Sequence, residues 1–90
     1  MSVSETLKAL SDPVRRDILT LLRDRPLNAG QIAARFDVTD ATISHHLAAL
    51  KKAGLIEATR HGTFIQYEIN TTLFQELIGW LAHLKGDAEQ

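Results

Sequence analysis

The chain has 90 residues, a formal net charge of −1 and no cysteine. This length is typical of one small domain, and the lack of cysteine excludes disulfides and thiolate metal sites. The N-terminus carries Glu5 and no long apolar core, so we expect no signal peptide, and no stretch approaches the length of a membrane span. We therefore expect a single cytoplasmic domain over 1–90.

Charge is distributed unevenly along the chain. Residues 40–63 carry three Lys or Arg against two acids, with three of the four histidines, whereas residues 64–90 carry one Lys against four acids. The cations can therefore gather on one face, although the whole chain is not basic, as nucleic-acid-binding domains often are. If the protein binds DNA, we expect modest non-specific affinity and a strong dependence on geometry.

Two helices are predicted at the N-terminus. Apolar residues at helical spacing over 3–10 indicate a first helix of about two turns. The Ser11–Pro13 segment supplies a cap, from Ser11 or Asp12, and a proline in the first turn of a second helix. This helix runs to about Arg23 and is ended by the Arg25-Pro26 pair. Its side chains expected to face outward are Arg15, Arg16 and Asp17.

A short third helix and a tight turn precede the main helix of the chain. Asn28 or Ala29 opens the third helix, which covers about 30–36, and Asp37–Thr39 connects it to the next one. A short helix, a turn of a few residues and a second helix with a polar outer face form a helix-turn-helix. The sequence predicts this motif over about 29–53.

The fourth helix organises the rest of the chain. Ile43, Leu47 and Leu50 recur at helical spacing and mark a buried face. Thr39 or Asp40 supplies the cap, and Gly54 follows the last turn, as is usual where a helix ends. The outer face carries Ala41, Thr42, Ser44, His45, Ala48 and Lys52. Such small and hydrogen-bonding side chains can contact base edges and phosphates, although a solvated surface helix shows the same pattern.

After Gly54 the apolar period changes from helical to two. Leu55–Thr59 and Phe64–Asn70 read as strands, joined by a hairpin turn at Arg60–Thr63 in which Gly62 supplies a positive φ. In the return strand the apolar side chains that share one face are Ile65, Tyr67 and Ile69. The sequence therefore predicts a β-hairpin wing over about 55–70.

A last helix is predicted over about 72–85, capped by Thr71 or Thr72. Its apolar stripe is wider than one small domain needs. From Gly86 onward we expect a frayed polar tail. The predicted fold is therefore mainly α with a β-hairpin wing, in the order α-α-α-α-β-β-α.

Three sequence segments, in the same order and at the same spacing as in a known family, indicate a resemblance. They are ALSDPVRRDILTLL at 9–22, AGQIAARFDVTDATISHHLAALKKAGLI at 29–56 and RHGTFIQYEIN at 60–70. The chain resembles the ArsR/SmtB family of bacterial winged helix-turn-helix repressors over about 7–69. Its compact length and its NTTLFQELIGWL ending are further similar to the subgroup of sporulation-delaying autorepressors.

The resemblance implies that the fourth helix reads the major groove and that the wing tip reaches the backbone or the minor groove. Together with the polar face above, it gives a set of candidate DNA-binding residues. They are Gln31, Thr39, Asp40, Ala41, Thr42, Ser44, His45, Lys51, Arg60 and His61. For Asp40, which repels phosphate, we favour helix capping over acceptance from a cytosine amine.

The resemblance also implies a homodimer built from the first and last helices, on double-stranded DNA with an inverted-repeat operator. The two recognition helices would lie one DNA turn apart, about 34 Å. The candidate dimerisation residues are Val3, Leu7, Leu10, Phe74, Leu77, Ile78, Trp80, Leu81 and Leu84. Release of the operator by a sequestering protein partner fits the autorepressor subgroup better than release by a metal.

Two polar positions outside these sets have open interpretations. His46 flanks Leu47 and is expected to be a core histidine hydrogen-bonded to backbone. Arg15 and Arg16 are each compatible with a phosphate contact, with an acidic partner residue, or with plain solvation.

Three other functions fit parts of the sequence less well. One is a metal- or small-ligand-gated repressor of the same fold, but for a metal the last helix offers only Glu76, His83 and Asp87, one histidine with distant acids. A winged helix that docks proteins through its wide apolar stripe would be a monomer indifferent to DNA. An enzyme needs a nucleophile–base pair or a phosphate-binding loop, and neither pattern occurs. We therefore expect no metal, cofactor, catalytic residue or small-molecule substrate.

Overall fold

The computed structural model describes residues 1–86, so the tail expected after Gly86 lies outside the described residues. The helices and strands are α1 (Val3–Leu10), α2 (Pro13–Asp24), β1 (Leu27–Asn28), α3 (Ala29–Ala33), α4 (Asp40–Lys52), β2 (Ile56–His61), β3 (Phe64–Ile69) and α5 (Thr71–Lys85). The predicted helices and hairpin are present, and β1 is an addition. None of the helices in this part of the chain is long and apolar enough to cross a membrane.

The strand that sequence reasoning missed joins the helix-turn-helix to the wing. β1 pairs antiparallel with the middle of β3, matching Leu27 with Tyr67 and Asn28 with Gln66, so the sheet order is β1-β3-β2. A strand of two residues has no alternating pattern to detect. The third helix is also shorter than predicted, because the N–H groups of Arg35 and Phe36 donate to carbonyls three residues back, as in turns, rather than four residues back.

Side-chain oxygens fix where α4 and α5 begin. Thr39 caps α4 by accepting a backbone N–H at 3.1 Å. The expectation that Asp40 caps this helix is therefore wrong; Asp40 is its first residue, where the helix dipole favours a carboxylate. α5 is capped by Asn70 rather than by either following threonine. The Asn70 amide also donates to the Gly54 carbonyl at 2.9 Å, which ties α5 to the end of α4.

The hydrophobic core holds the inner face of α4. Ile43 and Leu50 are at most 1% exposed, and they pack with the equally buried Ile18 of α2 and Ile32 of α3. Full burial of one such side chain contributes about 1.5–3 kcal/mol. The buried face predicted for α4 is therefore confirmed at Ile43 and Leu50, and this inner face fixes the helix in the domain.

β2 and β3 form a hairpin whose turn is shorter than predicted. Only Gly62 and Thr63 lie between the last paired residues, His61 and Phe64, so His61 belongs to a strand rather than to the turn. Gly62 has a φ of +63°, at the position where a type II′ turn requires glycine. The strands consequently extend past the core, and Ile65 is 42% exposed.

Gly54 ends α4 in a left-handed conformation, with a φ of +81°. Its N–H donates to the Lys51 carbonyl, and the Leu55 N–H donates to the Leu50 carbonyl, which is the Schellman pattern. A Cβ added at Gly54 would lie 2.7 Å from Cδ1 of Leu73. The tight approach of α5 to this turn therefore requires a glycine.

We expect Gly54→Ala to destabilise the protein by more than the roughly 1–2 kcal/mol of left-handed strain, because the new methyl group also displaces Leu73. Urea denaturation followed by the fluorescence of Trp80, the single tryptophan, measures the loss. Gly62→Ala is the matched control, since its φ is also positive but nothing lies within 4 Å of the added Cβ. Equal losses in the two variants would contradict this account.

Candidate nucleic-acid interface

The two faces of α4 have opposite character. His46 and the apolar residues of the inner face are buried. On the outer face Ser44 and His45 are exposed, and their side chains make no hydrogen bond within residues 1–86. The other exposed residues of this face are Ala41, Ala48 and Lys52. This face can therefore offer hydrogen-bonding groups to a ligand without breaking contacts inside the protein.

Thr42 differs from its neighbours on this face. It is half-buried, and its hydroxyl lies 2.9 Å from the hydroxyl of Thr39, the cap residue. The hydroxyls of Thr39 and Thr42 therefore satisfy each other at the start of α4. Both remain near the outer face, but neither hydroxyl is as free as that of Ser44.

Gln31 is held by a reciprocal cap at the start of α3. Its Oε1 accepts from the Asn28 N–H at 2.9 Å, and its own N–H donates to Asn28 Oδ1 at 2.8 Å. Its side chain lines a groove with Arg25 and Arg35, whereas Ser44 lines a different groove, on the α4 side of α3. Gln31 is therefore engaged in the cap of α3, unlike Ser44, whose side chain makes no hydrogen bond within residues 1–86.

A partly buried hydrogen bond joins α2 to the middle of α4. Arg15 Nε donates to Nδ1 of His46 at 3.1 Å, and His46 is only 8% exposed. The expectation that His46 bonds to backbone is wrong, and Arg15 is not simply solvated. Arg16 is exposed and donates to the Leu10 carbonyl at 2.8 Å, which closes the end of α1. A contact between residues so far apart in sequence leaves no periodic signal.

Asp12 lies at the start of α2, close to this pair. Burial pushes the pKa of Asp12 upward, but hydrogen bonds from the N–H groups of Arg15 and Val14 oppose it. The positive charge of Arg15 acts in the same direction as these bonds, and the pKa of Asp12 falls below its ordinary value of 3.8. Asp12 therefore stays ionised as the cap of α2.

The wing tip combines charged and apolar side chains. Arg60 and His61 are exposed, and Arg60 Nη1 donates to the Gly62 carbonyl at 3.4 Å. Beside them Phe64 is 59% exposed, an apolar surface that the sequence pattern assigned only to a strand. Lys51 is exposed on the last turn of α4. These cations are available to phosphates from two different elements.

Large apolar side chains are also exposed on α1 and α5. Four large apolar side chains there are 42–64% exposed. They are Leu7, Ile78, Leu81 and Leu84. Of the other candidate dimerisation residues, Leu77 is 6% exposed and Phe74 packs against the core, so both serve the packing of the protomer itself. Val3, Leu10 and Trp80 are half-buried.

Within residues 1–86 no three histidine, aspartate or glutamate side chains lie together as a metal site requires. Asp87, the third member of the weak zinc set considered from the sequence, lies outside the described residues.

A helix-turn-helix with a polar second helix, followed by a β-hairpin, defines a winged helix-turn-helix, a class of DNA-binding protein. The family "Bacterial regulatory protein, arsR family" matches residues 12–58. The chain belongs to the ArsR family, and it is a DNA-binding transcriptional regulator rather than an enzyme. This confirms the family and the fold class predicted from the sequence.

Two relatives and two solved structures are similar to the chain over most of its length. The chain is 45% identical over 87 residues to the transcriptional repressor SdpR of Bacillus subtilis, covering 94% of this chain and 97% of the repressor. It is 30% identical over 84 residues to the transcriptional activator HlyU of Vibrio cholerae, covering 93% and 78%. An ArsR-like regulator from Rhodococcus matches with a TM-score of 0.86 and 30% identity, covering 93% and 79%. A homodimeric winged helix-turn-helix DNA-binding domain from Mycobacterium bovis matches with a TM-score of 0.76 and 31% identity, covering 98% and 82%.

We expect Arg15→Ala to destabilise the protein by about 1–3 kcal/mol, because it leaves the buried Nδ1 of His46 without a donor. Arg16→Ala is the matched control: it removes the neighbouring guanidinium, whose hydrogen bond is exposed to water, and it should cost less than about 1 kcal/mol. Urea denaturation measures both losses. A smaller loss for Arg15→Ala than for its control would show that the partly buried bond contributes little.

Proposed function

We propose that the protein is a homodimeric transcriptional repressor that binds an inverted-repeat operator and blocks the promoter sterically. The observation that carries this proposal is the outer face of α4, where Ser44 and His45 are exposed and free of hydrogen bonds to the rest of 1–86. Similarity to the repressor SdpR over nearly the whole chain supports repression. Similarity to the activator HlyU supports only regulation in general.

On this proposal the outer face of α4 reads bases and the wing tip anchors the backbone. His45 can donate to a guanine acceptor, Ser44 can donate or accept, and the small side chain of Ala41 can approach a thymine methyl group. Arg60 and Lys51 supply cations for phosphates, which position the protein without reading sequence. The exposure of these side chains supports their roles.

The dimer is supported by the apolar surface on α1 and α5. Large apolar side chains such as Ile78 and Leu84 are rarely left more than half exposed together unless a partner covers them. The homodimeric state of the Mycobacterium bovis domain supports a second copy as that partner. A two-fold axis through this surface gives two α4 helices that read the same half-site in opposite directions, hence an inverted repeat. The sequestering protein partner and the cytoplasmic location stay predictions.

Selection of bound duplexes from a random DNA pool tests the proposal directly. We expect an inverted repeat whose half-sites are centred about one helical turn apart. In sedimentation the protein without DNA should have twice the 10.0 kDa mass of the protomer. A monomer that enriches no sequence would contradict the proposal and would favour the alternative of a protein-docking module.

Variants of the selected complex separate base reading from anchoring. His45→Ala should weaken binding by about 1–3 kcal/mol and relax the preference at one position of each half-site. Arg60→Ala should weaken binding to all sequences and lower the slope of log affinity against log salt by about 0.9 for each phosphate that it leaves without a cation. Arg23→Ala, which removes an exposed cation paired with Asp24 at the end of α2, is the control and should change neither property.

A further inference from the structure

The wing tip carries two apolar side chains that the core does not bury. Phe64 is 59% exposed and Ile65 is 42% exposed, at the end of β3 next to the turn. In the hairpin Phe64 pairs with His61, and Ile65 pairs with Arg60. Directly paired residues share a face of the sheet, and successive residues of a strand lie on opposite faces, so Phe64 lies beside His61 on one face of the hairpin and Ile65 lies beside Arg60 on the other. These four residues form a wing-tip patch that has a basic and an apolar side chain on each face, which suits a ligand that is both anionic and partly apolar.

This patch is continuous with the outer face of α4. Phe64 and Ile65 border a groove of about 390 Å³ that reaches Ala29 and Gly30 at the start of α3. A second groove, of about 250 Å³, begins at the same two residues and reaches Ser44 of α4. The edge of β3 is also uncovered beside Phe64 and Ile65, since β1 pairs only with the two residues that follow them. One extended ligand can therefore contact α4 and the wing tip at once.

The shape of duplex DNA indicates what this ligand is. A single sugar–phosphate strand separates the major groove from the adjacent minor groove. If α4 occupies the major groove, that strand passes between Ser44 and Phe64, and the wing tip faces the minor groove beyond it. The walls of the minor groove are deoxyribose rings, and apolar side chains are known to contact this groove in other proteins.

We propose that Phe64 packs against deoxyribose rings of the minor groove flanking each half-site, while Arg60 and His61 contact the phosphates on its rim. This inference rests on the proposed function and adds to it an apolar contact that reads no base. An apolar contact releases no counterions, so its contribution to affinity is independent of salt. That property distinguishes it from every contact made by a lysine or arginine.

The test compares Phe64→Ala, Phe64→Leu and Arg60→Ala on the selected operator over a range of salt concentrations. We expect Phe64→Ala to weaken binding about tenfold at every salt concentration, with the slope unchanged. Phe64→Leu should retain most of the affinity because it retains an apolar side chain. Arg60→Ala should lower the slope by about 0.9. Phe64 is mostly exposed, so these variants should fold, which circular dichroism verifies.

Hydroxyl-radical footprinting supplies a second readout, because it reports the accessibility of individual deoxyriboses. The wild-type protein should protect sugars both in the flanking minor groove and over the half-sites. Phe64→Ala should lose the protection in the flanking minor groove and keep the protection over the half-sites. Equal affinity and equal footprints for wild type and Phe64→Ala would overturn the inference and leave the operator reading intact. Loss of the dimer in Phe64→Ala would instead assign the patch to a second copy of the chain. Failure of the wild-type protein to enrich any duplex would count against the proposed function itself.

Discussion

The burial of one face of α4 is the constraint on which the rest of the structure depends. Ile43, Leu47 and Leu50 are each at most 2% exposed, and they pack with residues of α2, α3 and the wing. Because burial of this face holds the helix, most of the opposite face has no structural role, with the exception of Thr42, which bonds to the cap residue Thr39. A recognition surface can then vary in sequence without loss of the fold, which is what a family of regulators with different operators requires.

Directional polar contacts add what apolar burial cannot, namely the angles at which the other helices meet α4. Arg15 of α2 bonds to His46, the Thr6 hydroxyl of α1 donates to the Ala53 carbonyl at 3.4 Å, and Asn70 donates to the Gly54 carbonyl. Hydrogen bonds weaken steeply when they are misaligned, so each one restricts an orientation. The helices that carry the exposed apolar surface, α1 and α5, are thereby attached to the end of α4.

The sequence predicts features with a local period or a local cap, and it fails where the cause lies elsewhere in the fold. The apolar repeats predict α1, α2, α4, α5 and the hairpin, and Gly54 and Gly62 mark the turns that need a positive φ. β1 escapes detection because two residues have no period, and its pairing depends on β3. The Arg15–His46 bond joins residues on two separate helices. Asn70 caps α5 in place of the two following threonines, and its amide also donates to the Gly54 carbonyl at the end of α4, a contact that the local sequence does not reveal.

The nearly neutral charge constrains how this domain can hold DNA. With a net charge of −1 the protein as a whole does not attract a polyanion, so any attraction comes from a few local cations. Counterion release scales with the number of phosphates neutralised, and few cations face outward from α4 and the wing. On the proposed function, affinity therefore depends on contacts that salt does not weaken, such as base hydrogen bonds and the proposed apolar contacts to sugars. It also depends on the proposed two-fold repetition, because a dimer doubles every such contact while the entropy of association is lost once.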